Sequence, residues 1–343
     1  MTRLTSWRNS LKNISTCHVS WQFVGWAVIT ADWLTILPAL LLDLIIGDPH
    51  GLPHPVVAIG HLIGILDRSL RQNWLNERLA GVVLLLVVVI AAAGTSWVLL
   101  TIFTLLMPLA GWIAAIILSY TCLAARSLHK ESACVASALK AGDLPAARHY
   151  LSCIVGRDTD QLDETEIWRA VIETVAENTS DGIIAPLFWL TIGGPVTAMA
   201  YKAVSTLDSM VGYRNERYLR FGWASARMDD LLNFIPARVS ALLLIAAAPL
   251  AGCSLSGAAR ITLRDRLNHP SPNSGYPEAA AAGALGVRLG GASSYHGVSS
   301  LKEYIGEQKN PLDEHAYHRM IKLMYIATVL MAAACMLSAF CLR

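Results

Sequence analysis

The chain has 343 residues, of which 54% are hydrophobic and only 15% are charged, whereas an ordinary soluble domain has about 25% charged residues. The formal net charge is +2, so neither a basic nucleic-acid-binding surface nor an acidic tail is indicated. The 7 cysteines form no C-x-x-C pair and no spacing typical of a zinc site. Composition therefore argues against a soluble or nucleic-acid-binding protein and favours an integral membrane protein.

The first 31 residues form a polar extension without a convincing signal-peptide cleavage site. Residues 33–47 are apolar except for Asp43, and this run predicts a short membrane span. It leads into the string LLDLIIGDPHGLPHPV, where Asp48 lies at a helix stop and His54 lies between two prolines that fix its backbone. Both are candidate site residues. The alternative interpretations are that Asp48 is only a turn residue and that His54 is only structural.

Four longer windows contain no Asp, Glu, Lys or Arg, and they cover residues 79–125, 182–201, 239–259 and 323–342. As a helix, the first window would be about 70 Å long, enough to cross a ~30 Å bilayer core twice, and Pro108 is predicted to mark the turn between the two crossings. The sequence therefore predicts an all-α, polytopic membrane bundle with about four to six membrane-embedded helices and large polar blocks at one face.

The polar blocks lie near residues 48–78, 126–181, 202–238 and 260–322, whereas the turn at Pro108 is uncharged. This asymmetry places the turn outside and the first two blocks in the cytoplasm. If every window crossed the membrane, the 202–238 block would lie on the opposite side from its neighbours. The alternative is that windows 182–201 and 239–259 are re-entrant or interfacial, which is possible where protein shields the backbone.

The string ETVAENTSDG carries Glu173, Glu177 and Asp181 at four-residue spacing, which places them on one helix face if the helix continues that far. Like charges at this spacing repel one another, and a divalent cation or a cationic substrate would compensate them. Carboxylate oxygens suit magnesium. A solvated acidic face is the alternative interpretation, but the run adjoins an uncharged window where carboxylates are costly.

The next block carries Lys202 and Asp208, followed by Arg214, Arg217 and Arg220 at helical spacing. Such a row of arginines predicts a phosphate-binding face. Further along, Arg227 precedes Asp229, Asp230 and Asn233. One of the two aspartates could therefore hold a metal ion while the other pairs with the arginine. The alternative interpretation is that these arginines and aspartates only neutralise one another and anchor the end of a helix.

The last polar block contains HPSPNSGYPEAAAAGALG, in which Asn273 and Glu278 bracket a Gly-Pro turn before an alanine-rich helix. The helix dipole accounts equally well for Glu278 in a first helical turn. His315 and His318 lack a third metal ligand and are interpreted as surface histidines. The chain has no P-loop, no G-x-G-x-x-G turn and no G-x-S-x-G elbow, so any nucleotide is bound in another way.

These strings together resemble the CobD/CbiB family, the adenosylcobinamide-phosphate synthases of vitamin B12 biosynthesis. The resemblance runs in order from Trp33 to the C-terminus through LLDLIIGDPHGLPHPV, ETVAENTSDGIIAPLFW, AYKAVSTLDSMVGYRNERYLRFGWASARMDDLLNFIPAR and HPSPNSGYPEAAAAGALG. One departure is Ser205, where the family string has asparagine. Residues 32–343 are therefore expected to form one membrane enzyme domain behind the 1–31 extension.

The resemblance implies a multi-pass enzyme of the bacterial inner membrane that uses ATP and Mg²⁺ to join adenosylcobyric acid to (R)-1-amino-2-propanol O-2-phosphate or aminopropanol. Other membrane-bound late cobalamin enzymes are candidate partners, and nucleic acid is not expected. The metal ligands expected are Glu173, Glu177, Asp181 and Asp208. The catalytic residues expected are Asp229, Asp230, His54 and Lys202. The substrate- or phosphate-binding residues expected are Arg214, Arg217, Arg227, Arg238, Asn178, Asn273, Glu278 and Asp48.

Two other classes of protein fit part of this pattern. A membrane transporter also carries intramembrane carboxylates such as Asp43 and interrupted helices, although the chain has few clean spans and much polar sequence. A magnesium-dependent transferase acting on a lipid diphosphate would also need carboxylates and arginines at the membrane face.

Overall fold

The computed structural model describes residues 33–48, 54–73, 76–213, 215–295 and 298–341, so the expected 1–31 extension lies outside the described residues. The described chain is almost entirely helical. In chain order its helices are α1 Trp33–Ile46, α2 Pro55–Asn73, α3 Glu77–Leu106, α4 Pro108–Tyr120, α5 Ala125–Lys140, α6 Leu144–Ser152, α7 Glu164–Thr179, a π turn Ser180–Ile184, α8 Ala185–Val211, α9 Trp223–Leu232, α10 Phe234–Ala247, α11 Leu255–Asp265, α12 Gly275–Leu285 and α13 Glu314–Cys341.

Helices α3 and α4 form the predicted apolar hairpin. The side chain of Asn76 caps α3 by accepting hydrogen bonds from the Arg78 and Leu79 amides, and α3 ends at Met107, whose backbone is extended. Pro108 then starts α4, which confirms the predicted turn. Large apolar side chains project outward along both helices, and they include Ile90, Phe103, Leu105, Leu109 and Ile113. Such a surface is stable in lipid and not in water.

Four helical segments of the described chain are long and apolar enough to cross a membrane, and a bent pair formed by α9 and α10 could be a fifth. Helix α1 is apolar but only 14 residues long. The prediction of an all-α polytopic bundle is confirmed. Asp43 lies in α1, fully buried, which explains how a carboxylate is accommodated in an apolar run.

Window 182–201 reverses direction, so the apolar segment Glu164–Val211 is not one straight helix. Within α8 the backbone leaves helical geometry at Gly193 and Gly194, and Gly194 has a φ of 74°, which is favourable only for glycine. The two arms then run side by side, because the Thr197 hydroxyl donates to the Trp189 carbonyl at 2.7 Å. Of the two alternatives, the structure therefore has the re-entrant one for this window.

The reversal decides the position of the 202–238 block. The Tyr201 hydroxyl donates to the backbone carbonyl of Asp181 at 3.1 Å, whereas a straight helix would separate these residues by about 30 Å. The chain therefore enters and leaves the apolar layer on one side. Blocks 126–181 and 202–238 lie on the same side of the protein.

This arrangement makes a topological prediction. A cysteine at Tyr213, which is exposed, should react with a membrane-impermeant maleimide only after cells are permeabilised, because its block lies on the same side as block 126–181, which the charge asymmetry predicts to be cytoplasmic. A cysteine at Leu109, in the turn on the other side, is the matched control and should react in intact cells. Cys153 is also exposed and should be replaced by serine in both variants. Labelling of Tyr213→Cys in intact cells would reverse the assignment.

A two-stranded antiparallel hairpin, β1 Arg288–Tyr295 and β2 Val298–Gly306, lies within the last polar block. Leu289 pairs with Ile305, and the register shifts between Leu289 and Gly291. The sequence analysis did not predict these strands, because RLGGASSY has neither β-branched residues nor a regular apolar alternation. The hairpin covers α7, where it supplies contacts to the candidate site.

Candidate active site

Helix α7, which carries Glu173 and Glu177, is largely buried within the protein. Its apolar residues Ile167, Val171 and Val175 have no exposed surface, and Glu173 is only 6% exposed. Glu173 is therefore not part of a solvated acidic face, whereas Glu177 and Asp181 are partly exposed. The helix gives way to a π turn at Ser180, so the strict four-residue row of carboxylates ends at Glu177.

Four carboxylates from three parts of the chain approach one another below α7. Asp181 in the π turn lies close enough to Asp229, Glu177 and Asp208 for their charges to interact. Asp229 on α9 in turn interacts with Asp208, Asp230 and Glu177. The structure thus brings together three of the four predicted metal ligands and adds Asp229 to them. We call Glu177, Asp181, Asp208 and Asp229 the carboxylate centre.

Neutral hydrogen-bond donors hold this centre in place. Asn233 donates to Asp229 Oδ2 at 3.0 Å, and the Tyr201 hydroxyl donates to Asn233 Oδ1 at 2.8 Å. Ser274, at the start of α12, donates to Glu177 Oε1 at 2.8 Å. Asp208 folds back over Gly212, where a Cβ atom would lie 1.9 Å from its Oδ1. Asn233 and Ser274 are neutral, so these two hydrogen bonds position Asp229 and Glu177 without adding a positive charge.

The donor set of the carboxylate centre fits a hard divalent cation, because it consists of oxygen atoms only. Like charges at this proximity also favour a cation or a cationic substrate between them. Among the described residues, however, no three His, Cys, Asp or Glu side chains are already placed to hold a metal ion. A magnesium ion bound here would therefore take part of its coordination from water or substrate, as is usual for this ion.

A second polar group lies at the C-terminal end of α1. Asp43 Oδ2 accepts a hydrogen bond from the Ala125 amide at 3.0 Å, and the Ser127 hydroxyl accepts one from the Asp48 amide at 2.9 Å. Lys202, on the returning arm of α8, interacts electrostatically with both aspartates. Because Lys202 directly follows Tyr201, this group adjoins the carboxylate centre.

Asp48 and His54 face each other in this group. His54 Nδ1 accepts a hydrogen bond from the Val56 amide at 3.3 Å, so in the neutral ring the proton is on Nε2. His54 Nε2 lies 3.4 Å from Asp48 Oδ1, yet within the described residues neither atom makes a well-aligned hydrogen bond, and neither does Asp43 Oδ1. Burial would raise the pKa of Asp48, but His54, Ser127 and the charge of Lys202 outweigh it and lower that pKa.

Glu173 does not join the carboxylate centre. One of its oxygens is paired with Arg157, and the other accepts a hydrogen bond from the Gly290 amide of the β-hairpin at 2.7 Å. Both oxygens of Glu173 therefore have partners within the protein, in contrast to the predicted role of Glu173 as a metal ligand.

Glu278 lies beside this pair and is only 4% exposed. His269 Nε2 is 3.7 Å from Glu278 Oε1 and 3.4 Å from Lys302 Nζ. Burial and the nearby charges of Glu173 and Glu177 raise the pKa of Glu278, and burial lowers the pKa of His269. The helix dipole alone does not explain a glutamate buried among other carboxylates.

The raised pKa of Glu278 gives stability a definite pH dependence. The unfolded chain releases this proton near the ordinary pKa of 4.5, whereas the folded protein retains it to higher pH, so folded stability falls as pH rises between the two values. Glu278→Gln cannot ionise and should therefore melt at a higher temperature than the parent protein at about pH 8, with a smaller difference as the pH approaches 4.5. Thermal melts in detergent across this range measure the effect. Parallel melting curves for both proteins would contradict it.

The arginines occupy different places from those predicted. Residues 215–222 form turns and not a helix, so Arg217 and Arg220 do not form the predicted helical row, and Arg214 lies outside the described residues. Arg217 is paired with Asp67 Oδ2 at 3.3 Å. Arg227 Nη1 lies 3.7 Å from Asp230. This is the predicted arrangement, in which one aspartate pairs with the arginine and the other, Asp229, belongs to the carboxylate centre.

Three further predicted residues act in positioning. Arg238 Nη1 donates to Asn273 Oδ1 at 2.9 Å, and Asn273 Nδ2 donates to the Asp230 carbonyl at 2.8 Å. Together they tie α9 and α10 to the loop before α12. Asn178 donates to the Thr174 carbonyl of its own helix at 3.0 Å. His315 and His318 are exposed, as predicted for surface histidines.

The structure also identifies residues that the sequence analysis did not select for the site. Tyr201 and Asn233 hold the carboxylate centre, and Arg157 and His269 contact the buried glutamates. The sequence analysis named Asn233 with Asp229 and Asp230 but gave it no role, although its four-residue spacing from Asp229 on a helix predicts the contact between them. Arg157 had no such signal, because its partners come from α7 and from the unpredicted hairpin.

Comparison with known proteins shows which family the sequence matches. Residues 36–324 match the model of the CobD/Cbib protein family. The chain is 61% identical to a cobalamin biosynthesis protein CobD of Pelobacter propionicus over 316 residues, covering 92% of this chain and 98% of that one. It is 60% identical to the CobD protein of Geobacter metallireducens, covering 88% and 95%.

The chain is also 48% identical to the cobalamin biosynthesis protein CbiB of Salmonella typhimurium over 308 residues, covering 88% of this chain and 96% of that one. No solved structure matches the chain. The extent of the family match and the identity over nearly the full length leave one assignment. The chain belongs to the CobD/CbiB family and has a role in cobalamin biosynthesis.

Proposed function

We propose that this protein forms the amide bond between a propionate carboxyl of adenosylcobyric acid and (R)-1-amino-2-propanol O-2-phosphate or aminopropanol, with consumption of ATP. With the phosphorylated amine the product is adenosylcobinamide phosphate. The role of its relatives in cobalamin biosynthesis supports this pathway. The reaction class is supported by the polar group of Asp43, Asp48, His54 and Lys202, in which three buried atoms make no hydrogen bond within the described residues.

The observation that carries the proposal is a set of three buried atoms without a well-aligned hydrogen bond among the described residues, Asp43 Oδ1, Asp48 Oδ1 and His54 Nε2, beside the Lys202 ammonium. Asp48 Oδ1 and His54 Nε2 lie 3.4 Å apart. Buried polar groups are normally satisfied, and leaving one without a partner costs about 1–3 kcal/mol. Their persistence next to a cation and a carboxylate centre is typical of a site completed by substrate.

The chemistry assigns distinct tasks to these side chains. A carboxylate does not condense with an amine in water, so the γ-phosphoryl group of ATP is transferred to the propionate oxygen, which gives an acyl phosphate and ADP. The amine nitrogen then attacks the acyl carbon, the C–N bond forms, the C–O bond to phosphate breaks, and inorganic phosphate leaves. The amine must lose a proton for this attack.

Lys202 and Arg227 carry the positive charge that stabilises transferring phosphate oxygens. Asp229 is the proposed acceptor of the proton from the attacking ammonium, because it lies among carboxylates that also attract the cationic amine. His54 holds its proton on Nε2 and can donate it to a leaving or bridging oxygen. Magnesium held by Glu177, Asp181 and Asp208 would neutralise the polyphosphate.

The proposal also includes the location of the protein and its domain organisation. We assign the protein to the inner membrane, with the site on the cytoplasmic side where ATP is available. Residues 32–343 act as one membrane enzyme domain, and residues 1–31 are an extension. Other membrane-bound enzymes of late cobalamin synthesis are candidate partners, because product and substrate share the same membrane surface.

The test uses the full chain purified in detergent. Amide product and ADP should form only when adenosylcobyric acid, the amine, ATP and Mg²⁺ are all present. Omission of each component in turn is the control. Transport of a corrinoid into vesicles without amide formation would favour the transporter alternative. Turnover of a lipid diphosphate would favour the transferase alternative.

A further inference from the structure

A groove of about 580 Å³ lies between α5 and α6 and has no role in the site described above. Its lining includes Arg126, His129, Lys130, Cys134, Asp143 and Tyr150, and alanines form most of the remaining wall. Small-molecule sites typically have volumes of about 300–1,000 Å³, apolar walls and a few polar groups. The groove has these properties.

The groove carries excess positive charge at one end. Arg126 and Lys130 are both exposed, and no salt bridge joins either of them to a carboxylate in the described ranges. The carboxylate of Asp143 is engaged, because Oδ1 accepts a hydrogen bond from the Ala146 amide at 3.0 Å as the cap of α6. The charges therefore favour an anion at the Arg126 end.

This cationic end adjoins the orphaned polar atoms. The Arg126 side chain packs against Gly47, where a Cβ atom would lie 2.9 Å from Arg126 Cγ. The next residue, Asp48, is tied to α5 through its amide and Ser127. A phosphate chain held by Arg126 and Lys130 would thus point toward Asp48 and His54.

The walls further along the groove fit a flat ring. Tyr150 is 43% exposed, so its ring is available to stack on a planar heterocycle, an interaction worth about 1–3 kcal/mol per base in nucleic-acid complexes. Of the three substrates in the proposed reaction, the aminopropanol phosphate has no ring, and the corrin macrocycle with its nucleoside is too large for the groove. A nucleotide matches both the charge and the ring.

We propose that the α5–α6 groove is the nucleoside triphosphate site of this protein, with the phosphates on Arg126 and Lys130 and the base against Tyr150. This inference rests on the proposed function for the choice of ligand class. In this arrangement the terminal phosphate lies toward Asp48 and His54, and the base lies at the other end of the groove.

The test is titration of the purified full chain with MANT-ATP, a fluorescent ATP analogue, and with inorganic triphosphate as a competitor. Lys130→Gln should weaken binding of both probes by about tenfold or more, since it removes a charged hydrogen bond. Tyr150→Leu should weaken binding of MANT-ATP but not of triphosphate, because triphosphate has no base. The matched control is Lys140→Gln, on the same helix but paired with Glu314 outside the groove, and it should bind both probes normally.

Unchanged affinities in Lys130→Gln and Tyr150→Leu would overturn the inference. A lipid headgroup is the other source of phosphate near a membrane face. Displacement of MANT-ATP by anionic but not neutral phospholipid nanodiscs, together with an unchanged KM for ATP in Lys130→Gln, would assign the groove to lipid and also overturn it.

The two proposals fail in different ways. If the groove variants bind nucleotide weakly but the parent protein forms no amide with all substrates present, the groove assignment stands and the proposed function fails. If amide forms and the KM for ATP is the same in the parent and Lys130→Gln proteins, the function stands and the groove assignment fails.

Discussion

Asp229→Asn should reduce amide formation by about 100-fold or more, the usual contribution of a positioned acid or base, while the protein still folds. Asparagine has nearly the same volume as aspartate, and its side-chain oxygen can still accept the hydrogen bond from Asn233. Removal of one charge from the centre shared with Asp181, Glu177 and Asp208 also relieves repulsion. Yield and melting temperature should therefore equal or exceed those of the parent protein.

The measurement is turnover against magnesium concentration for Asp229→Asn, with Glu177→Gln and Asp181→Asn alongside. If high magnesium partly restores the turnover of a variant, the replaced residue is a metal ligand. If magnesium does not restore the turnover, the replaced residue is a base. Asp160→Asn is the matched control, because Asp160 is exposed and lies outside the centre. Normal turnover in all three variants at ordinary magnesium would remove the carboxylate centre from the mechanism.

Arg157→Met should destabilise the protein by about 3–5 kcal/mol, because it leaves the buried Glu173 carboxylate without its partner. For a chain of this size the melting temperature should fall by roughly 5–10 °C. The double variant Arg157→Met/Glu173→Leu removes both charges and should recover much of the loss. Melts of the detergent-solubilised protein measure both effects.

This series also separates two roles for Glu173. If Glu173 only anchors the hairpin through Gly290, turnover per folded molecule should survive in the double variant. If turnover disappears while the melting temperature recovers, Glu173 belongs to the catalytic machinery, as the sequence spacing suggested. The matched control is Arg260→Met, which removes part of an exposed ion pair with Glu307 and should cost less than about 1 kcal/mol.

Residue chemistry along the chain was sufficient to predict the membrane fold. A bilayer penalises every ionised group, so windows without charge identify embedded helices before any contact is known. Pro108 likewise predicted the α3–α4 turn, because proline cannot continue a helix interior but fits its first turn. The strings containing Asp48, Asp181, Asp208 and Asp229 indicated the family and most of the candidate site residues.

Only the tertiary structure decided how these segments meet. A helical pattern of 27 residues fits one straight helix as well as two arms, and the turn at Gly193 and Gly194 became evident only from the contact between Tyr201 and Asp181. Glu173 and Glu177 look equivalent on a helical wheel. They differ because Glu173 meets an amide 117 residues away in a hairpin without a strand pattern. Local periodicity determines which face a residue occupies, whereas its partner depends on long-range packing, which local patterns do not encode.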